Sequence, residues 1–255
     1  MNTTKQVPLT EDIACKVLAA VDAGLVRGLG KQTPGHMCVE AAVCYAYGLP
    51  HSDNPPCVGS AVRAFKIRLN DARWSSNEAR TAGMRALAIA QLGSDVIDQQ
   101  AFAKMVAEGT IRQIVPLALR KAADRAKEPH KQALLDAALV CERDGTRESA
   151  LAAKKVARAS AADAAAASAS AAYADADADV AAASDAASAA ASAADAAAYA
   201  DADAYAAADA AAAADAAADA DADDILNFSA DIALQALIAL DSPGCAYLGL
   251  LSVAA

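Results

Sequence analysis

Residues 37–71, "MCVEAAVCYAYGLPHSDNPPCVGSAVRAFKIRLND", decide the fold class, because they predict two helices separated by a proline-rich break. The first run is closed by Gly48, and the "LPHSDNPP" that follows contains prolines that interrupt any helix. In the second run Val58, Phe65 and Leu69 recur at helical spacing on one face. The stretch is therefore typical of an all-α domain.

The same helical spacing continues towards the N-terminus. In "LTEDIACKVLAAVDAGLVRGLG" the apolar residues recur every four positions from Ile13 onwards. Thr10 is a suitable N-cap for this helix, and Gly28 is its predicted stop. No alternating strand pattern accompanies these runs.

Towards the C-terminus, Ser75 or Ser76 is predicted to cap a helix that stops at Gly93. Further helices are predicted over residues 97–108, 110–127 and 129–143, with Pro116 starting or kinking one of them. Together these segments predict a compact, multi-helix head over residues 1–145.

An alanine-rich tail follows, with no Gly or Pro from Thr146 to Asp241. An unbroken helix over this stretch would be ~140 Å long. A track without Asp or Ser runs from Ala162 through Ala166 to Ala216 with a mean step of 3.6 residues. Because such a helix buries little by itself, we expect it to self-associate along this track or to fold back as a hairpin.

An internal repeat supports an ordered tail. "AYADADADV" at residues 172–180 recurs as "AYADADAYA" at 198–206, although low-complexity drift also produces such repeats. The acidic "DADAD" runs lack the glycine and glutamate of a calcium loop and predict a solvated face.

Charge divides the chain in the same way. No Lys or Arg follows Arg158, and residues 159–255 carry sixteen Asp, whereas the preceding part has 22 basic and 16 acidic residues. We therefore predict a basic head over 1–145, an acidic helix over 146–241 and an extension over 242–255. The bulkier residues near Ile225 and Leu237 are predicted to dock on the head or on a partner.

No run of bulky apolar residues is long enough to span a membrane, so we expect no membrane contact. The start, "MNTTKQVPLTEDIACKV", lacks the pattern of a secretory signal, so we expect a cytoplasmic protein. In that compartment the six cysteines are expected to be reduced, and most of them to be buried as small apolar residues.

Cys38 is the candidate nucleophile. It is predicted to lie at the start of a helix, where unpaired backbone N–H groups and the helix dipole lower the pKa of a thiol. His51 would be the base and Asp53 would orient its imidazole, as in a cysteine-dependent hydrolase or acyl transferase. The alternative is that Cys38 is buried and that His51 caps the loop.

If a metal were present, its ligands would be His36, Cys38, His51 and Cys57. Their spacing lacks the Cys-x-x-Cys pairs of structural zinc sites, so we expect no metal and no cofactor.

Two further residues of the head have predicted partners. Glu40, if buried, needs a cation such as Arg63 or Arg68. Trp74, the only tryptophan, is predicted to be a core residue beneath a helix corner near Asp71.

The run from residue 35 to 94 resembles a group of bacterial and phage-borne proteins of uncharacterised activity. They share an "MC-x-EAA … SD-x-P-x-CV … ND" core, and some carry long Ala-Asp-Ala-Tyr tails. The resemblance implies no activity. It implies that one unit, a site or a fold-defining corner, contains Cys38, Glu40, Ser52, Asp53, Pro55, Cys57, Asn70 and Asp71.

From these patterns we expect an oligomeric structural or interaction protein. Its head would engage a protein or small-molecule ligand, and its alanine-rich helix would mediate self-association. The alternative is the cysteine-dependent enzyme built on Cys38 and His51. Basic residues in the head have no accompanying recognition motif and aromatic residues are scarce, so we do not expect nucleic-acid binding.

Overall fold

The computed structural model describes residues 8–171 and 222–252, with the side chains of residues 8–166 and 223–252. Over these ranges the protein is all-α, as predicted, and contains no β-strand. The helices are α1 (Glu11–Asp22), α2 (Val39–Ala46), α3 (Ser60–Asp71), α4 (Asn77–Ala90), α5 (Gln99–Arg125), α6 (His130–Asp144), α7 (Arg147–Ala171) and α8 (Ala222–Ala239), with 3₁₀ segments at Ser94–Val96 and Pro243–Ser252. No helix in these ranges is long and apolar enough to cross a membrane.

The chain divides into two compact units that differ from the predicted domains. The first consists of residues 1–105 and 230–255, and the second of residues 106–229. The predicted boundary at residue 145 lies inside the second unit, between α6 and α7. The boundary at 241 also falls inside a unit, because residues 230–252 belong with the N-terminal helices.

In the first unit, α1 packs against α2 and α4. Its start is the predicted one, since the Ile13 N–H donates to Thr10 Oγ1 at 3.3 Å. Its end is earlier than the predicted stop at Gly28. The helix ends at Asp22, and the chain turns at Gly24, whose φ of +116° favours glycine.

The core of this unit contains an aromatic pair. Phe65 of α3 and Phe102 of α5 are fully buried and meet edge to face, with ring centroids 6.4 Å apart and an interplanar angle of 82°. Trp74 is also buried, and its indole N–H donates to the Leu69 carbonyl at 2.8 Å, which confirms its predicted place in the core.

Residues 242–252 lie against α4. Ser242 Oγ donates to the Ala90 carbonyl at 2.6 Å, and Arg85 Nη1 donates to the Leu251 carbonyl at 3.2 Å. A Cβ at Gly244 would lie 2.1 Å from the Ile89 carbonyl oxygen, so only glycine allows this close approach. Residues 242–252 thus dock on α4, while the docking predicted for the bulkier residues near Ile225 and Leu237 stays a prediction.

In the second unit, α5 is one helix where two were predicted, with Pro116 inside it. A proline in a helix interior costs about 3 kcal/mol. The neighbouring Ile114, Val115 and Leu119 are fully buried, and burial stabilises by about 1.5–3 kcal/mol per side chain of this size. The apolar contacts of the helix outweigh the interruption.

Helices α6 and α7 pack through small side chains. Leu134, Ala138 and Cys141 of α6 are fully buried, as are Ala150 and Ala157 of α7. The α7 helix begins next to Thr146, as predicted, with a reciprocal cap in which Thr146 and Ser149 each accept a hydrogen bond from the other's N–H at 3.2 Å. The predicted continuous helix, the repeat and the alanine track after residue 166 lie outside the described side chains.

Candidate functional site

A small pocket lies between the start of α2 and the end of α3. Five of its nine lining residues are polar and come from three separate parts of the sequence: Cys38, Glu40, Asp53, Asn70 and Asp71. Its volume is about 30 Å³, which is room for a group the size of one or two water molecules. We call it the α2–α3 pocket. All five polar residues belong to the motif quoted above for residues 35–94.

Asn70 joins the two helices and the preceding loop at this pocket. Its Oδ1 accepts from the Val39 N–H at 3.4 Å, and its Nδ2 donates to the Val26 carbonyl at 3.0 Å and to Asp71 Oδ1 at 2.9 Å. The same Asp71 oxygen accepts from the Gly28 N–H at 2.7 Å. Asn70 thus fixes the start of α2 relative to the end of α3.

The loop that forms one wall of the pocket depends on a glycine. Gly30 has a φ of +72°, and a Cβ there would lie 2.0 Å from the His36 carbonyl oxygen. The Lys31 N–H donates to this same carbonyl at 2.6 Å. The close approach fixes the loop between α1 and α2 and positions the chain that leads to Cys38.

Cys38 is the N-cap of α2, as predicted from its position, but its thiol is not activated. Its Sγ accepts from the Ala41 N–H at 3.4 Å, and the residue is only 5% exposed. Burial raises the pKa of the Cys38 thiol to about 11, and the charge of Glu40 raises it further. The predicted lowering of this pKa is therefore wrong, because loss of solvent outweighs the helix start.

His51 is not hydrogen-bonded to Cys38 or to Asp53. Its Nε2 lies 3.2 Å from the Gly30 carbonyl oxygen, and its Nδ1 has no hydrogen-bond partner in the described part of the chain. Of the three predicted catalytic residues, the structure places Cys38 and Asp53 on one pocket, while His51 does not line it.

Glu40 and Lys66 form an ion pair in the interior. Glu40 Oε1 lies 3.5 Å from Lys66 Nζ, and neither side chain is exposed to solvent. Burial raises the pKa of Glu40, although the charge of Lys66 acts in the opposite direction. Burial lowers the pKa of Lys66 to about 8. The cation that accompanies Glu40 is thus Lys66, rather than the predicted Arg63 or Arg68.

The candidate metal ligands do not form a metal site. Within residues 8–171 and 222–252, no three His, Cys, Asp or Glu side chains come together in a way that could hold a metal ion. His36 is exposed, whereas Cys38 and Cys57 are buried. All six cysteines are free thiols, and four of them are buried: Cys38, Cys44, Cys57 and Cys141.

Sequence reasoning did not assign Asn70 and Lys66 their roles. Asn70 was expected only as one member of the unit implied by the resemblance, and nothing local reveals that its amide bonds to residues of two distant segments. The burial of Lys66 could have been inferred from the sequence, because it lies four residues after Val62 and next to Phe65 on the apolar face of α3. A lysine on such a face requires a buried anionic partner.

Comparisons with family models, curated proteins and solved structures give no match to this chain.

Proposed function

We propose that the protein is an oligomeric structural or interaction protein that self-associates through its alanine-rich segment, while the head engages a ligand or partner. The observation that carries this proposal is the position of Ala162 on α7. This residue, the first of the predicted track, is exposed, whereas Ala150, Ala153 and Ala157 are buried within the second unit.

The two sets of alanines lie on different sides of the same helix. At 3.6 residues per turn, Ala162 lies roughly opposite the face that contains Ala150 and Ala157. One small-residue face of α7 is therefore used inside the chain, where it packs closely on α6. On the opposite face, Lys155 precedes Ala162 by two turns, and small side chains such as Ala162 and Ala166 begin only after it. Side chains of this size allow a second helix to approach closely.

The α6–α7 contact is an example, within this chain, of a helix that packs against a face of small side chains. Leu134 and Ala138 of α6 are fully buried in the same unit as Ala153 and Ala157 of α7. Each alanine buries little area, so a stable contact needs a long seam rather than a few positions. The predicted track from residue 162 to 216 supplies that length in the sequence.

Native mass measurement of the full chain tests the proposal. We expect a multiple of the 25.6 kDa protomer mass, with a shift towards the monomer on dilution. Substituting Ala162→Arg places a long charged side chain on the track and should weaken association. Ala82→Arg is the matched control, because Ala82 is also an exposed helical alanine but lies on α4.

A chain that is monomeric at every concentration would overturn the proposed self-association. Equal effects of the two arginine substitutions would show that the surface responsible is not the predicted track. Circular dichroism of each variant establishes that the helical content is retained.

The cysteine-dependent hydrolase is the weaker candidate. Its support is that Cys38 and Asp53 line the same pocket. Against it, the Cys38 thiol is buried with a raised pKa, and His51 hydrogen-bonds elsewhere. A nucleophilic thiol needs the opposite conditions, namely access and a lowered pKa.

A further inference from the structure

Residues 242–252 are held on α4 by residues that are far away in the sequence. Ser242 Oγ donates to the Ala90 carbonyl, at a separation of 152 residues. Arg85 Nη1 donates to the Leu251 carbonyl, at a separation of 166 residues. Because these contacts do not depend on local chain connectivity, residues 242–252 of a second copy would make them equally well.

The surface of α4 that receives this segment is specific. A Cβ at Gly244 would lie 2.1 Å from the Ile89 carbonyl oxygen and 2.9 Å from the Leu92 nitrogen, so the fit requires glycine. Ile89 and Leu92 are fully buried with the segment in place. A chain whose own segment lies elsewhere would leave this surface uncovered, and the segment of another chain has the matching shape.

The segment is suited to exchange between copies, because it lies at the surface of its unit. Tyr247, Leu248 and Leu251 stay partly exposed while docked, and Ala246 and Gly249 are exposed. Such a segment separates from a fold more readily than an enclosed helix does. Exchange of an identical element between copies restores every contact that it breaks, so it needs no new surface.

The proposed self-association gives a reason for the exchange. If a second copy uses the track from residue 162 to 216 along its length, a helix with this track spans ~80 Å. A compact unit of the size of the first has a radius of gyration of only about 14 Å. Two copies aligned antiparallel along the track would bring residues 242–252 of each towards the N-terminal part of the other.

We propose that residues 242–252 of each copy dock on α4 of a second copy in the assembled protein, with the two copies antiparallel. The inference rests on the proposed self-association, and it names the partner surface and the orientation. The contacts that Ser242 and Gly244 make with α4 inside one chain are then made between two chains.

Two singly labelled chains test the exchange. Ala82→Cys provides a labelling site on α4 and Ala246→Cys provides one on the docked segment, and both alanines are exposed. Cys15→Ser and Cys245→Ser in both chains remove the native thiols that are not buried. Each chain receives a thioether-linked nitroxide, and the two are mixed, unfolded in urea and refolded together. Pulsed electron paramagnetic resonance measures the distance between the labels.

We expect the mixture to give the short distance found in a reference chain that carries both labels. Diluting that reference chain with a tenfold excess of unlabelled chain before refolding should remove the short distance. An oligomeric mixture without the short distance would overturn the exchange and leave the proposed self-association in place. A mixture whose native mass is that of the monomer would overturn both.

A glycine pair on the same segment supplies a second measurement. Gly244→Ala should lower the native mass towards the monomer at concentrations where the parent chain is assembled, because its Cβ meets the Ile89 carbonyl. Gly249→Ala is the matched control, since a Cβ at Gly249 meets nothing within 4 Å. Equal native masses in both variants and the parent would contradict docking between copies. The label experiment does not use Gly244→Ala, so it decides the proposal even if that variant does not fold.

Discussion

Glu40 Oε1 lies 3.5 Å from Lys66 Nζ, and both side chains are fully enclosed by the protein. An ion pair in this setting is poor support for stability, because desolvation of two charges offsets much of their attraction. Breaking such a pair from one side is nevertheless costly, since it leaves the other charge buried alone.

Lys66→Met should therefore destabilise the protein by about 3–5 kcal/mol. The double variant Glu40→Met/Lys66→Met should cost less than the single one, because no isolated charge remains. Urea unfolding followed by the fluorescence of Trp74, the only tryptophan and 7% exposed, measures both. Additive costs in the double variant would contradict a coupled pair.

Alkaline pH should destabilise the fold through its buried thiols. Burial raises the pKa of Cys38 and Cys141 to about 11 and that of Cys44 to about 12, from 9.0. The unfolded thiols lose their protons first, so the folded state binds more protons above pH 9. Stability from this source is fully present below pH 9 and falls as pH rises through 11 to 12.

Lys66 acts in the opposite direction over part of this range. Its pKa is lowered to about 8 from 10.5, so its contribution to stability grows between these values as pH rises. Cys141→Ala separates the two effects, because it removes a thiol from the second unit and leaves Lys66 in place. We expect the variant to lose stability less steeply above pH 9 in urea titrations. An unchanged slope would contradict the raised pKa of Cys141.

Thiol alkylation at neutral pH distinguishes packing from catalysis. Cys15 is exposed and should react first, while Cys38, Cys44 and Cys141 should react slowly because they are buried and protonated. Peptide mapping after brief treatment with iodoacetamide identifies the modified residue. Cys15→Ser should remove the fast reaction. A fast reaction at Cys38 would instead favour the hydrolase.

Local sequence was sufficient to predict several helix starts. Thr10 and Ser76 cap their helices as predicted, since capping involves residues only three positions apart. Cys38 was also placed correctly at a helix start. The direction in which the pKa of Cys38 shifts was not predictable, because burial depends on contacts with distant parts of the chain.

The predicted domain boundaries at residues 145 and 241 differ from the limits of the compact units for a similar reason. Composition marks where alanine begins to dominate near Thr146, but compact units are defined by packing. Pro116 was expected to start or kink a helix, yet its buried neighbours hold α5 as one element. The pocket was predictable in part. The motif of residues 35–94 includes Glu40, Asp53 and Asn70, but only the fold shows that they line one pocket.

The hydrogen bond from Ser242 to the Ala90 carbonyl has a consequence for biosynthesis. The first unit draws on residues 1–105 and 230–255, so its helices emerge from the ribosome long before their missing part is made. At roughly 5–20 residues per second, residues 230–252 are synthesised about 6–30 s after residue 105. During that delay the surface of α4 that later receives Ser242 and Gly244 stays uncovered.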